Sequence, residues 1–363
     1  MNIENNTFDY IVDNFPVWTL TEKDYLKLKS ATSLFIPDKV KILPSNLKNL
    51  SLSKIVVDNK NPNFYYGNSN AIIHKATNTL ILGCKNTTIP KEVRFISESA
   101  FEGCDIKEII IPSNVRSIPP HAFYNCTNLE KLTIEKNVKK ICENAFRDCV
   151  NLKEIIINEG VSEIEKSAFH NCISLEKIDF PNSLQKIAQY AFYNCKNIKE
   201  ISIKEGLREI WRNAFSDTHI YKLEIPSSVE KIHKYAFSSC SSLKEISVSP
   251  LNSYYYSDNS NSLIEKENQE LILGCKNSVI PFGVKKIGSC VFYKCDIRNL
   301  EIPSSVEAIC DCVFSNCKRK EIFINNGVKE IDYSAFSYSD IEKSNIPSSV
   351  EKIGNNAFFV AKI

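Results

Sequence analysis

No run of eighteen apolar residues occurs in the 363 positions, so the sequence offers no membrane-spanning helix and membrane insertion is not expected. Neither sign of charge is in excess. With 45 Lys and Arg against 43 Asp and Glu, nothing in the overall field calls for nucleic acid or an anionic membrane. Residues 1–13 are polar and acidic, without the cationic start and apolar core of a signal peptide. A cytoplasmic protein is therefore the default expectation, with the cell surface as the alternative. Without secretion, the Asn-x-Ser/Thr triplets beginning at Asn5, Asn49, Asn86 and Asn125 carry little meaning. Five histidines share no motif, and no glycine-rich phosphate loop, HExxH or Ser-His-Asp arrangement is present. No enzyme, no cofactor and no catalytic or metal-binding residues are expected.

What the chain does have is a period. Ala-Phe, or Val-Phe in two copies, recurs eleven times, with its Phe at Phe101, Phe123, Phe146, Phe169, Phe192, Phe215, Phe237, Phe292, Phe314, Phe336 and Phe358. The steps are 22 or 23 residues, apart from one of 55. A fixed short period means one supersecondary element per unit, unable to bury its apolar face until a neighbour stacks on it. The expectation is a solenoid, which presents a long regular surface and by default no deep catalytic cleft. In the unit spanning 129–149, Leu132 and Ile134 alternate with polar residues, as in a strand buried on one face. Pro112, Pro181, Pro226, Pro303 and Pro347 cannot donate to a ladder and mark where strands stop. The return from Val138 to Phe146 is too short for a full helix and predicts a turn or helical fragment.

Eight of fourteen cysteines, Cys104, Cys126, Cys149, Cys172, Cys195, Cys240, Cys295 and Cys317, lie three residues after a repeat Phe. A residue returning at one phase of every coil forms an internal ladder, and Cys is a small, often buried hydrophobe, so free thiols are expected there. Thr218, Ser339 and Ala361 hold the same phase, consistent with a demand for a small side chain. Cys290 and Cys312 share a different phase. Stacked in adjacent coils, their Cα atoms would stand about 5 Å apart, within disulfide reach, so reduced and paired states both stay open. Cys290, Cys295, Cys310, Cys312 and Cys317 lack the C-x-x-C pairs of a structural zinc site.

The unit over 225–240, IPSSVEKIHKYAFSSC, resembles the leucine-rich repeats of BspA-like proteins. The resemblance spans about 89–248 and again 280–358. It implies a β-rich leucine-rich-repeat solenoid with a parallel sheet on one face and short turns or helical fragments on the other. It also implies a binding role: a protein-binding scaffold, or alternatively a surface adhesin for matrix protein or glycan. It supplies no catalytic residues. Another protein is the expected partner, with a glycan as the alternative, and the chain is expected to be a monomer.

The 55-residue step is itself repeated: residues 55–101 align without gaps on 246–292, and LILGCKN is identical at 80–86 and 271–277. Each copy carries an aromatic cluster (Phe64, Tyr65, Tyr66; Tyr254, Tyr255, Tyr256), then two apolar runs about polar tips at 75–78 and 266–269. This predicts two inserted β-hairpins, packed against the coil or, alternatively, protruding to bind a ligand. The organisation expected is an N-terminal cap and diverged repeat over 1–54, a first hairpin insert over 55–88 and repeats over 89–248. A second insert follows over 249–279, then repeats and the C-terminal end over 280–363. Within the first segment, residues 1–30 should cap the apolar end, Thr21 followed by Asp24 should start a short helix, and Ile36 to Val40 keep the strand-end motif of a diverged coil. In the last strand, Ser344 and Asn345 make a polar edge that discourages stacking.

On the sheet face, Glu108, Lys131, Glu154, Lys177, Glu200, Lys222 and Glu245 alternate in sign at every coil. Opposite charges on neighbouring strands contribute roughly 0.2 to 1 kcal/mol per pair, which favours a self-neutralised ladder over a charged binding groove. The next outward column holds Ile110, Ile156 and Phe323, which are either simple β-formers or partner anchors. Trp211 holds a variable phase expected to face solvent, as a contact hot spot or lying flat on a neighbouring coil. Partner-binding candidates are thus Trp211, Ile110, Ile156, Phe323, Tyr254, Tyr255 and Tyr256.

Overall fold

The computed structural model describes residues 10–11, 26, 28–43, 47–48, 50–67, 69–297 and 299–361. They form two compact units, residues 1–175 and 176–363, each a β-solenoid of stacked coils. Among the described residues, helix is confined to residue 26 and residues 28–30. The helix start expected at Thr21 lies outside the described residues, as does most of the expected cap over 1–30. From that stretch Tyr10–Ile11 forms a strand, parallel to Ser33–Ile36, which in turn pairs with Lys54–Val57; a diverged coil is therefore present around Ile36.

In the first unit the apolar alternation produces strands Glu108–Ile111, Lys131–Ile134 and Glu154–Ile157. They pair in parallel, so that Lys131 lies between Glu108 and Glu154, and Thr133 between Ile110 and Ile156. Their inward residues, Ile109, Ile111, Leu132, Ile134, Ile155 and Ile157, are buried. The period alone predicts a turn or helical fragment on the return, yet the structure adds a second, narrow parallel ladder. Its two-residue strands are Ser117–Ile118, Lys140–Ile141 and Glu163–Ile164. The cause is the Val-x-x-Ile spacing, which buries Val138 and Ile141 together and holds the segment extended between them. The second unit repeats both ladders, for example Lys222–Ile225 with Glu245–Val248, and Lys286–Ile287 with Ala308–Ile309.

Each coil closes through two left-handed residues, two before and two after its Phe. In the coil of Phe146 these are Asn144 (φ 55°) and Asp148 (φ 62°). The reversals make successive N–H groups point in alternate directions. Asn144, Phe146 and Asp148 donate to carbonyls of the next coil (Lys166 at 3.1 Å, Ala168 at 2.8 Å, His170 at 2.9 Å), while Ala145 and Arg147 bond inside their own turn. A helix would keep all of these bonds within one segment, so the alternation is what prevents one. Asn and Asp recur two residues after Phe, at Asn125, Asp148 and Asn171, because they tolerate φ > 0.

The rings stack along the core. Centroid distances are 4.6, 4.9 and 5.1 Å from Phe101 to Phe169 in the first unit, and 5.4, 5.0 and 5.2 Å from Phe292 to Phe358 in the second. The eight ladder cysteines are free and buried, with a reason beyond size. The Cys126, Cys149 and Cys172 thiols donate to the Phe101, Phe123 and Phe146 carbonyls of the preceding coil at 2.9, 3.1 and 3.2 Å. Thr218 and Ser339 instead donate to their own coil's Phe carbonyl, at 2.8 and 2.5 Å.

Both inserts are hairpins, Ile72–His74 with Thr79–Leu82 and Ser262–Glu265 with Glu270–Gly274, with their turns at the expected tips. The aromatic segments Phe64–Tyr65 and Tyr255–Tyr256 add a third antiparallel strand to each. These elements do not protrude. Ile72, Ile73, Leu80, Leu263, Ile264 and Leu271 are fully buried, and the second hairpin strand pairs in parallel with Phe95–Ile96 in the first insert and, in the second, with Lys286–Ile287, from which the narrow ladder continues. The shared Gly in LILGCKN has a packing cause: a Cβ at Gly83 or Gly274 would run into the ring of Phe101 or Phe292.

Phe146 has a stacked ring on each side and is fully buried, whereas Phe358 has one partner, Phe336, and is half-buried. Phe146→Ala should destabilise the protein by roughly 3 to 5 kcal/mol in denaturant unfolding, and Phe358→Ala by clearly less. Equal losses would contradict a linear stack.

Candidate functional site

The open face of the four-residue strands is the most regular surface of each unit. In the first, Ile110 is 56% exposed and Ile156 45%, flanking the half-buried Thr133 in register. In the second, Phe323 is 48% exposed and stands beside Glu301. Ile and Phe favour strands at such positions, and here they also leave apolar area uncovered. The charged column beside them is largely self-neutralised: Lys131 reaches Glu108 at 3.8 Å and Lys177 reaches Glu200 at 3.6 Å. Lys222 departs from the pattern by pairing with Glu224 on its own strand at 2.6 Å. Such exposed pairs contribute about 0 to 1 kcal/mol each and leave little net field.

Two of the sequence candidates sit differently from the simple outward picture. Trp211 is half-buried, with the Lys186 ammonium 4.6 Å from its ring on one side and the His233 ring at 4.7 Å on the other. Its indole N–H donates to the Glu209 carboxylate at 2.7 Å. It lies flat along its neighbours, the second of the two arrangements its phase allowed. Tyr255 is not available to a partner at all, being 2% exposed. The strand pairing turns it inward, where its hydroxyl accepts the Ile232 N–H at 2.8 Å, and burial pushes the phenol up to about 12. Tyr254 is 48% exposed, while Tyr256 is half-buried with its hydroxyl donating to the Gln269 amide oxygen at 2.8 Å.

The second insert interrupts the Phe stack between Phe237 and Phe292, and a cleft of about 110 Å³ opens there, lined by His233, Tyr235, Phe237, Leu263 and Cys290 among others. That is well below the roughly 300 Å³ where small-molecule sites begin. Cys290 lies against Cys312 of the next coil; both are free and half-buried, and burial, then Cys312, pushes the Cys290 thiol up to about 12. Among the described residues, no three His, Cys, Asp or Glu side chains converge as a metal site would require.

Sequence reasoning missed a pair of buried asparagines, Asn61 and Asn252, at 0% and 1% exposure. The Asn61 amide donates to the Pro37 and Val40 carbonyls at 2.7 and 2.8 Å, and its oxygen accepts the Asn63 and Phe64 N–H groups. Asn252 does the same with Pro226, Val229, Tyr254 and Tyr255. From the hairpin tips, Lys75 and Lys266 close each hook by donating to the Asn61 and Asn252 carbonyls at 2.5 and 2.6 Å. The signal was present: both Asn and Lys recur at the 191-residue offset of the duplication.

A stacked Phe and Cys ladder behind a parallel sheet is one arrangement among many repeat folds, and comparison settles which. The model of the BspA type leucine rich repeat region, in six copies, matches residues 71–181, 162–268 and 271–363. The chain belongs to that family. Among solved structures, this BspA-type chain is similar to a leucine-rich cell surface protein of Faecalibacterium prausnitzii, at 25% identity and TM-score 0.59, covering 81% of this chain and 95% of that one. The pneumococcal vaccine antigen PcpA is similar at 23% identity and TM-score 0.59, over 76% and 73% of the two chains. A leucine-rich repeat protein of Bacteroides ovatus is similar at 22% and 0.54, over 80% and 88%. No curated protein matches. No helix among the described residues is long and apolar enough to cross a membrane.

Eleven of the fourteen cysteines are buried, leaving Cys142, Cys290 and Cys312 half-buried. A small maleimide at neutral pH should label those three first and all fourteen only after denaturation without reductant. Burial pushes Cys142 up to about 11, so its labelling should quicken as pH rises toward that value. Finding most cysteines already oxidised would contradict the ladder of free thiols.

Burial, helped by the nearby Lys231 charge, holds His233 below the ordinary histidine value. The folded state therefore favours neutral imidazole, and this contribution to stability is present above the unfolded value of about 6.5 and is lost as pH falls from there through the lower folded value. In a Trp18→Phe background, emission of Trp211 should be quenched on acidification with a midpoint below 6.5, as imidazolium forms against the indole. A midpoint above that value would contradict the stacked, desolvated pair.

Proposed function

We propose that this BspA-type protein is a non-enzymatic protein-binding scaffold that meets its partner on the open sheet face. The observation that carries this is the in-register trio Ile110, Thr133 and Ile156, two exposed isoleucines one strand apart on either side of a threonine. Each isoleucine is about half exposed, so covering it contributes about half of the roughly 1.5 to 3 kcal/mol of a whole aliphatic side chain, enough for the pair to form the centre of a contact. Phe323 and Tyr254 supply further exposed area in the second unit, whereas Trp211 is committed to its neighbours and Tyr255 to the core.

A second reading, a surface adhesin, is supported by the Faecalibacterium prausnitzii cell surface protein, whose length this chain matches almost fully. It favours the cell surface over the cytoplasm as the place of action.

Cross-linking on intact cells, compared between wild type and an Ile110→Ser/Ile156→Ser variant, tests both. The double variant should lose its cross-linked partner with thermal stability unchanged, and Lys177→Ala should keep it. Partner retention by the double variant would overturn the isoleucine contact, and loss of binding at moderate salt and with Lys177→Ala would show that charge carries recognition. Absence of the wild-type protein from the protease-accessible surface would remove the adhesin reading alone.

A further inference from the structure

One column of the solenoid changes character between the two units. It consists of the residue after the buried Val or Leu that opens each return segment. In the second unit the column alternates and pairs: Arg208 meets Glu230 at 3.2 Å, and Glu307 is held between Lys285 at 3.3 Å and Lys329 at 3.6 Å. In the first unit the same phase holds Arg94, Arg116 and Lys139, three cations in consecutive coils. All three are exposed, and no ion pair is seen on any of them among the described residues. Like charges stacked at coil spacing repel, so this arrangement costs stability that the second unit avoids with the same backbone.

The three line one groove together with Phe95, Ser113, Asn114 and Asn137. No carboxylate lines it; Glu135 touches it by accepting the Ser113 N–H at 2.9 Å. Phe95, 57% exposed, is the groove's one apolar side chain. The cations recur at the spacing of parallel strands, about 4.8 Å, so the row extends over roughly 10 Å.

We infer that this groove binds a short acidic oligosaccharide, with Arg94, Arg116 and Lys139 taking successive sulfate or carboxylate groups, the Asn137 amide meeting a hydroxyl beside Asn114, whose own amide donates to the Lys91 carbonyl, and a sugar ring lying on Phe95. A neutral peptide would need a free strand edge or several apolar pockets, and an acidic peptide, which a row of cations can also hold, would leave the exposed Phe95 ring without a stacked sugar and is tested as a competitor. Strand Lys140–Ile141 is already paired on both edges, and the groove offers one ring. Nucleic acid is disfavoured because three cations on a chain of net charge +2 make no extended basic surface. The site is separate from the isoleucine contact of the sheet face, so either can fail without the other.

Isothermal titration of the full chain at low ionic strength with a heparin-derived hexasaccharide and a hyaluronan hexasaccharide tests the inference and separates sulfate from carboxylate recognition. An oligothymidylate and a polyglutamate of matched charge serve as competitors. At least one saccharide should bind, and Arg116→Glu, which recreates the alternation of the second unit, should weaken it roughly tenfold or more while melting at the same or a higher temperature. Phe95→Ala should weaken the saccharide as well, and Ile110→Ser/Ile156→Ser should leave it unchanged. Should Arg116→Glu fold poorly, Arg94→Gln/Arg116→Gln removes the same charge with less change. Binding of neither saccharide, full retention by a correctly folded charge variant, or equal binding of the oligothymidylate or polyglutamate would overturn the assignment.

Discussion

The structure depends on one repeated coupling, the Phe ring stacked on its counterpart while its own N–H bonds across to the next coil. The N–H of Phe146 reaches the Ala168 carbonyl at 2.8 Å, and that of Phe336 reaches Ala357 at 2.7 Å. Ring stacking near 5 Å and strand pairing near 4.8 Å call for almost the same coil spacing, so side-chain packing and backbone hydrogen bonding reinforce one another instead of competing. The left-handed residues on either side of each Phe make this geometry attainable, because only the reversal of direction frees alternate N–H groups to point along the stack. The cysteine thiol then supplies a further donor to the Phe carbonyl of the coil before it. Polar satisfaction is thereby extended into a region otherwise filled by apolar side chains.

This coupling also explains where the chain accepts extra length. Each hairpin lies directly before a new run of stacked rings, before Phe101 and before Phe292, and a glycine backbone meets the first ring at the place where a preceding Phe would stand. An insertion inside a run would separate two rings that are also tied by backbone bonds. The first insert has one ring to meet, Phe101, whereas the second parts Phe237 from Phe292 and leaves a small cleft beside Phe237. The buried Asn61 and Asn252 then tie each insert to the coil before it, each through two hydrogen bonds from its side-chain amide.

Much of this was legible in the sequence because repetition exposes the inward positions: a residue type returning every 22 or 23 residues has one environment in every coil. The Phe ladder, the cysteine ladder, the sheet register and the hairpin tips all follow from that rule. The narrow second ladder was less visible, since two residues are too few to show alternation. Trp211 and Tyr255 show the limit from the other side. Each occurs once at its phase, so the repeat says nothing about its rotamer, and a half-exposed backbone position is compatible with a ring lying on Lys186 and His233 or a phenol turned into the core.

The same reasoning separates folding from function on the surface. Where a column must be occupied in every coil, the cheapest sequence alternates opposite charges, and the outward column from Glu108 to Glu154 and the Lys285, Glu307, Lys329 series both do so. Stability alone would not stack like charges in such a column. The chain departs from that alternation in two places in the first unit, with aliphatic side chains at Ile110 and Ile156 and with cations at Arg94, Arg116 and Lys139 that make no ion pair among the described residues. One departure exposes apolar surface to water, and the other concentrates like charge. Neither is repaired by a neighbouring side chain, although the repeat places a suitable position within one coil of each. In a fold whose core is dictated by its period, such uncorrected departures are the positions at which the surface is free to be specified by a ligand, and both lie on coils whose internal packing is complete without them.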